Sequence, residues 1–97
     1  MTQKYNVAVA GATGAVGTEI VQILEERNFP IDKLFLLASS KSKGKKVEFR
    51  DQEIIVEDLS EFDFSKAHIG LFSPGGKISA EFAPKAAKAG CIVIDNT

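Results

Sequence analysis

Apolar and polar positions alternate along this chain in short blocks of two kinds. Tyr5 to Ala10 (YNVAVA) is an apolar, β-branched run ending at a glycine, the pattern of a buried strand entering a tight turn. From Ala15 onward, Val16, Ile20, Ile23 and Leu24 recur at helical spacing, with Glu19, Gln22, Glu25, Glu26 and Arg27 mostly on the other face. This predicts an amphipathic helix that stops near Asn28, two residues before Pro30. Lys33 to Ala38 is a second apolar run, followed by a polar, basic loop from Ser39 to Lys46. Weaker alternation predicts short strands at Lys46 to Phe49 and Glu53 to Glu57, joined through Arg50, Asp51 and Gln52 and forming a sheet edge. Ile69 to Ser73 reads as a strand ending in Pro74-Gly75-Gly76. A helix is expected next, with Ser79 as its N-cap, burying Phe82, Ala86 and Ala89, disturbed by Pro84 and stopping at Gly90. Cys91 to Asp95 is the last strand. Strands alternating with helices across short Gly-rich turns predict an α/β fold of right-handed βαβ units, a parallel sheet flanked by helices.

Composition narrows the picture. A chain of 97 residues holds one compact unit, and its 44% hydrophobic and 26% charged content is that of an ordinary folded domain. Twelve basic against thirteen acidic residues, a net charge of −1, provide no global attraction to nucleic acid or to a membrane surface. No apolar run is long enough to span a bilayer. One cysteine and a polar start, without a signal-peptide pattern, point to a reducing cytoplasm.

Candidate chemistry begins at Gly11-Ala12-Thr13-Gly14-Ala15-Val16-Gly17, between the first strand and the first helix, where a dinucleotide fingerprint must lie to work. Gly11 can take the sharp turn, Gly14 can let the backbone approach a pyrophosphate, and Gly17 can let the helix pack closely on the sheet. Free N–H groups from Thr13 to Val16, with the helix dipole behind them, would form an anion site. The spacing is G-x-x-G-x-x-G, so the middle glycine is displaced by one from the commoner fingerprint.

Cofactor choice is written in the following loop. A dinucleotide fold selective for NAD places an Asp or Glu at the end of the second strand to bind the ribose 2′-hydroxyl. Residues 38–45 contain no acid; Lys41, with hydroxyls from Ser39 or Ser42, can instead donate charge-assisted hydrogen bonds to a 2′-phosphate, which favours NADP. Ser73-Pro74-Gly75-Gly76 and Asp95-Asn96-Thr97 end later strands on the same rim, where ligands of open α/β sheets sit. Cys91 opens an Ile-Val-Ile run and reads as a small buried hydrophobe, not a nucleophile. His68, the sole histidine, has no partner at catalytic spacing and reads as a surface residue; no metal-ligand spacing occurs.

Taken together, GATGAVG, ASSKSKGK, FSPGGKISAEFAP and AGCIVIDNT resemble the amino-terminal part of the aspartate-semialdehyde dehydrogenases, over the whole chain. The resemblance implies a Rossmann-like partial domain in which Thr13, Gly14, Ala15 and Val16 hold the NADP pyrophosphate. It further implies that Ser39, Lys41 and Ser42 hold the 2′-phosphate, and that Ser73, Gly75, Gly76 and Asn96 line the nicotinamide side. Members often carry Arg where Lys41 stands, so a bidentate grip is replaced here by a point charge. The family reduces aspartyl 4-phosphate to the semialdehyde with NADPH, on the route to lysine, threonine and methionine. Its cysteine nucleophile, the histidine partner and the substrate-binding arginines belong to sequence after the DNT ending. The expectation is therefore a cofactor-binding segment without catalytic residues, from a homodimeric enzyme whose catalytic and dimerisation domain is not in this chain.

Three other readings share the turn. An N-acetyl-glutamyl-phosphate reductase would use the same acyl-phosphate logic. A short-chain dehydrogenase would need a later Tyr-x-x-x-Lys pair, and the sole tyrosine, Tyr5, lies in the first strand. A non-catalytic NADP-sensing module is the third.

Overall fold

The computed structural model describes residues 3–73 and 76–95, with only the backbone of residues 76, 77 and 95. In chain order the elements are β1 (Tyr5–Ala10), α1 (Ala15–Glu26), β2 (Ile31–Ala38), β3 (Lys46–Phe49), β4 (Gln52–Ile55), β5 (Glu57–Asp58), β6 (Ile69–Phe72), α2 (Gly76–Lys88) and β7 (Ile92–Asp95). Two single-turn 3-10 helices, Leu59–Glu61 and Phe64–Lys66, lie between β5 and β6.

Five strands form one sheet in the order β5-β2-β1-β6-β7, every pair of neighbours being parallel. The chain winds outward from β1 through β2 to β5, then returns to the other side of β1 with β6. Strand order thus reverses between β1 and β6, and the carboxyl ends there open the crevice in which such sheets bind ligands.

Alternation along β1 builds a core on each face. Val7 and Val9 pack with Leu34, Leu36 and the α1 residues Val21 and Leu24. Ala8 and Ala10 face the other way, toward Leu37, Phe72, Leu59, Phe64 and Ala86. The Rossmann-like α/β expectation is met.

Several local expectations are corrected. The buried stripe of α1 is Gly17, Val21 and Leu24, whereas Val16 and Ile23 are exposed. The reason is Gly17: lacking a side chain, it carries no apolar signal, yet it is the face that touches the sheet. β2 starts at Ile31 and not Lys33, because the register with β1 shifts between Tyr5 and Asn6 and leaves Asp32 and Lys33 exposed in the strand. β3 and β4 do not join the main sheet; they form a separate antiparallel hairpin, whose Phe49 packs into the α1-side core. Phe49 pairs with Gln52, so the turn is Arg50-Asp51 alone, with φ of 49° and 63°. The expected second strand of that pair is cut at Val56, and one edge of the main sheet is Glu57–Asp58 beside β2, the other being β7. Ser79 is not an N-cap: α2 already begins at Gly76 and Ser79 lies buried within it, while Ala89 is exposed after its end. The apolar face begins at Ile78, one residue before the serine, and extends through Phe82 to Ala86 at four-residue steps.

Candidate functional site

The carboxyl ends of β1, β2, β5 and β6 surround an open cleft of about 450 Å³. Its floor is the Gly-rich turn. Gly11 leaves β1 with φ of 81°, and the Gly11 and Ala12 N–H groups both donate to the Leu37 carbonyl, at 2.8 and 3.1 Å, which ties the turn to β2. Gly17 meets the strictest demand: a methyl group there would lie 1.9 Å from the Gly11 oxygen and 2.9 Å from the Ala12 Cα. Gly14, by contrast, has an ordinary extended conformation (φ −80°, ψ 172°), and a Cβ would sit 3.5 Å from the Gly11 oxygen, a normal contact. The fold itself therefore tolerates a side chain at position 14, and the bare backbone there is open on the cleft side.

No side chain caps the start of α1, and its first turn holds no acidic residue. Of the four amides expected to be free, Gly14 is the exception: its N–H donates to the Gly11 carbonyl at 3.1 Å, closing the turn. Thr13, Ala15 and Val16 have N–H groups without hydrogen-bond partners among the described residues. Such orphan donors at the positive end of a helix dipole suit an anion, and all three residues are exposed.

The basic loop reaches this turn. Thr13 Oγ1 and Ser42 Oγ lie 3.3 Å apart, and the loop is bent by a Ser42 N–H bond to the Ser39 carbonyl at 2.9 Å. Ser39, Ser40 and Ala38 line the cleft. Lys41 is exposed, with no ion-pair partner among the described residues. Lys43 is not similarly available: its Nζ is 2.8 Å from Glu61 Oε1, and that hydrogen bond, with the charge of Glu61, raises its pKa. On the far side, the Ser73 N–H and Oγ both donate to the Ala10 carbonyl, at 3.0 and 3.2 Å, fixing the end of β6 against β1. Gly76 opens α2; Pro74, Gly75, Asn96 and Thr97 lie outside the described residues.

Seven cleft residues lie outside the expected site set: Ala38 and Ser40 in the loop region, and Asp58, Leu59, Ser60, Ile78 and Phe82 from elsewhere in the chain. Leu59, Ile78 and Phe82 give it apolar walls. Asp58 arrives through tertiary pairing, since β5 sets it beside Ala38 in register. Its Oδ1 accepts from the Ser60 N–H at 2.9 Å and the Ser60 hydroxyl at 2.7 Å, which holds the carboxyl below its usual range. The Asp-x-Ser pattern at residues 58–60 is an N-cap signal that could have been read in advance.

Neither reactive-looking residue enters the cleft. Cys91 is buried, 5% exposed, and burial pushes its thiol pKa up, away from the thiolate. His68 is exposed at the amino end of β6, where its Nδ1 accepts the Asn6 N–H at 2.9 Å and its ring stands nearly perpendicular to that of Tyr5, with 6.1 Å between centroids. Among the described residues there is no group of His, Cys, Asp or Glu that could hold a metal ion, and no helix is long and apolar enough to cross a membrane.

The chain is similar in sequence and fold to known proteins. The family described as semialdehyde dehydrogenase, NAD binding domain, matches residues 6–97. The aspartate-semialdehyde dehydrogenase of Legionella pneumophila is 62% identical over all 97 residues, which make up 28% of that protein. A crystal structure of aspartate semialdehyde dehydrogenase II from Vibrio cholerae, complexed with ASA, superposes with a TM-score of 0.96 at 55% identity, over 98% of this chain and 31% of that one. The Candida albicans aspartate semialdehyde dehydrogenase with NADP shares the fold at a TM-score of 0.76 and 22% identity, over 98% of this chain and 30% of that one. The chain thus spans under a third of the length of these relatives.

Proposed function

Since the chain belongs to the semialdehyde dehydrogenase NAD-binding domain family, we propose that it is the NADP-binding segment of an aspartate-semialdehyde dehydrogenase. The observation that carries this reading is the hydroxyl contact between Thr13 and Ser42, 3.3 Å, which joins an uncapped helix N-terminus to the basic loop. One continuous rim thereby offers donors for a pyrophosphate and, beside it, for a 2′-phosphate.

In this assignment the amides of Thr13, Ala15 and Val16 take the pyrophosphate, while Gly14 supplies the bare backbone that a phosphate can approach. Gly11 makes the turn and Gly17 seats the helix. Ser39, Lys41 and Ser42 take the 2′-phosphate, Lys41 as a point charge. Ser73, Gly75, Gly76 and Asn96 line the nicotinamide side. NADPH, when bound, supplies the hydride. These residues orient it and exclude water from one side of it, and no catalytic group is assigned to them.

For the whole protein, the proposal is reduction of aspartyl 4-phosphate to aspartate 4-semialdehyde on the route to lysine, threonine and methionine, in the cytoplasm and as a homodimer. Residues 1–97 are then one nucleotide-binding domain, inactive alone, and the nucleophile and dimer contacts lie in a second domain.

Calorimetric titration of this chain with NADP and NAD, together with amide NMR, tests the assignment. NADP should bind more tightly and shift the Thr13 and Gly14 amides. Unmoved amides at millimolar nucleotide in a folded sample would overturn the site, and equal affinities would remove the 2′-phosphate assignment.

A further inference from the structure

We infer that Asp58 and Glu61 are specificity-setting residues: by offsetting the positive charge of the 39–46 loop, they limit how strongly the site prefers a cofactor carrying a 2′-phosphate. The inference rests on the NADP reading above and concerns its degree. The loop alone is purely basic, but the fold sets two acids from a different part of the chain beside it, Asp58 and Glu61.

Asp58 is the parallel register partner of Ala38, the last residue of β2 before the loop, so the two backbones are one strand spacing apart, about 4.8 Å. Both residues line the cleft, together with Ser39 and Ser40. Both Ser60 donors go to Asp58 Oδ1, while Oδ2 has no hydrogen-bond partner among the described residues. Those donors also hold the carboxyl below its usual range. Glu61, in the 3-10 turn that follows, takes Lys43 at 2.8 Å. Of the two lysines nearest the serines, Lys43 is therefore already paired with Glu61, and the charge of Asp58 acts on it as well.

A 2′-phosphate carries about two negative charges near neutral pH, whereas a 2′-hydroxyl carries none. A carboxylate within several ångströms of the phosphate position opposes NADP and leaves NAD almost untouched, and the effect weakens as salt screens it. The alternative role for Asp58, accepting a hydrogen bond from a ribose hydroxyl or from the adenine amine, predicts the reverse: its removal weakens NAD as well.

The test is titration of NADP and NAD into wild-type, Asp58→Asn and Glu61→Gln chains at about 0.05 M and about 0.5 M salt. Asparagine keeps an oxygen for the Ser60 donors, so the local turn is retained. Glu61 is largely exposed, so the second variant keeps the question answerable should the first be perturbed. We expect NADP affinity to rise about five- to tenfold in Asp58→Asn and about threefold in Glu61→Gln at low salt, with NAD within about twofold and the gain shrinking at high salt. An unchanged NADP-to-NAD ratio, a gain shared equally by both, or a loss of NAD affinity in Asp58→Asn overturns the inference while leaving the NADP assignment standing. A wild-type chain that binds neither nucleotide overturns both.

Discussion

Gly17 sits so close over the carbonyl of Gly11 that a methyl group on it would fall 1.9 Å from that oxygen, with the Ala12 Cα only 2.9 Å away. Backbone, not a flexible side chain, occupies that space, so the helix must move if position 17 gains a Cβ. Gly17→Ala is expected to destabilise the chain by more than about 2 kcal/mol, the cost of forced overpacking. Urea denaturation would show it; a loss under about half that figure would mean the turn relaxes.

Gly14 makes the opposite prediction. Its backbone is in a region open to any residue, and an added Cβ finds only ordinary contact. Gly14→Ala should therefore keep the fold, with stability within about 1 kcal/mol of wild type, and lower nucleotide affinity at least about tenfold by filling the space where a phosphate approaches. Paired denaturation and titration measure both quantities. Wild-type affinity in this variant would remove Gly14 from the proposed site.

Lys41, like Lys45 and Lys46, has no ion-pair partner among the described residues, whereas Lys43 is held by Glu61. Lys41→Glu should cost NADP about tenfold or more in affinity and NAD much less, and Lys43→Ala should cost NADP less than Lys41→Glu does. Equal losses for both nucleotides in Lys41→Glu would point to misfolding and away from phosphate recognition.

Arg50 ties the hairpin to the end of α1. Its guanidinium donates to the Leu24 carbonyl at 3.0 Å and the Phe29 carbonyl at 2.7 Å, and its backbone N–H donates to Glu25 Oε2 at 2.7 Å. The guanidinium also lies over the Phe49 ring, 4.9 Å from its centroid. Arg50→Met leaves the Phe29 carbonyl without its described donor and the Leu24 carbonyl with only the Phe29 N–H, at 3.2 Å, and should cost about 1–3 kcal/mol in a denaturation experiment. Because Arg50 does not line the nucleotide cleft, NADP affinity in the folded fraction should stay the same; a parallel fall in affinity would contradict the separation of hairpin and site.

Acid should weaken the chain through two serine-clamped carboxylates. Asp58 accepts from the Ser60 hydroxyl and N–H, and Asp63 accepts from those of Ser65, so both folded-state pKa values lie below the ordinary one. A lowered folded pKa contributes stability above the unfolded value, about 3.9 for Asp, and that contribution disappears as pH falls through the folded value. Ser60→Ala and Ser65→Ala should thus lower the urea midpoint at neutral pH and flatten its decline below about pH 4. Identical pH profiles for wild type and variants would dismiss the clamp.

Periodicity made the parallel α/β architecture legible, because a strand buried on both faces reads as an unbroken apolar run, as in YNVAVA and KLFLLA. The Gly-rich turn was equally legible, since its function is local: a sharp bend, a helix start and their amides are all made by consecutive residues. Ser79, Ile31 and the face of α1 were misread where a glycine, a register shift or a buried hydroxyl carries the structure without an apolar signature. The surroundings of the basic loop were beyond any local reading. Asp58 and Glu61 are some twenty residues from Ser39 and Lys41 along the chain, and only the pairing of β5 with β2 brings Asp58 beside Ala38 and Glu61 to Lys43. Local backbone chemistry is written in neighbouring letters, whereas the net field at a site is a sum over everything the fold brings near, and that sum exists only in three dimensions.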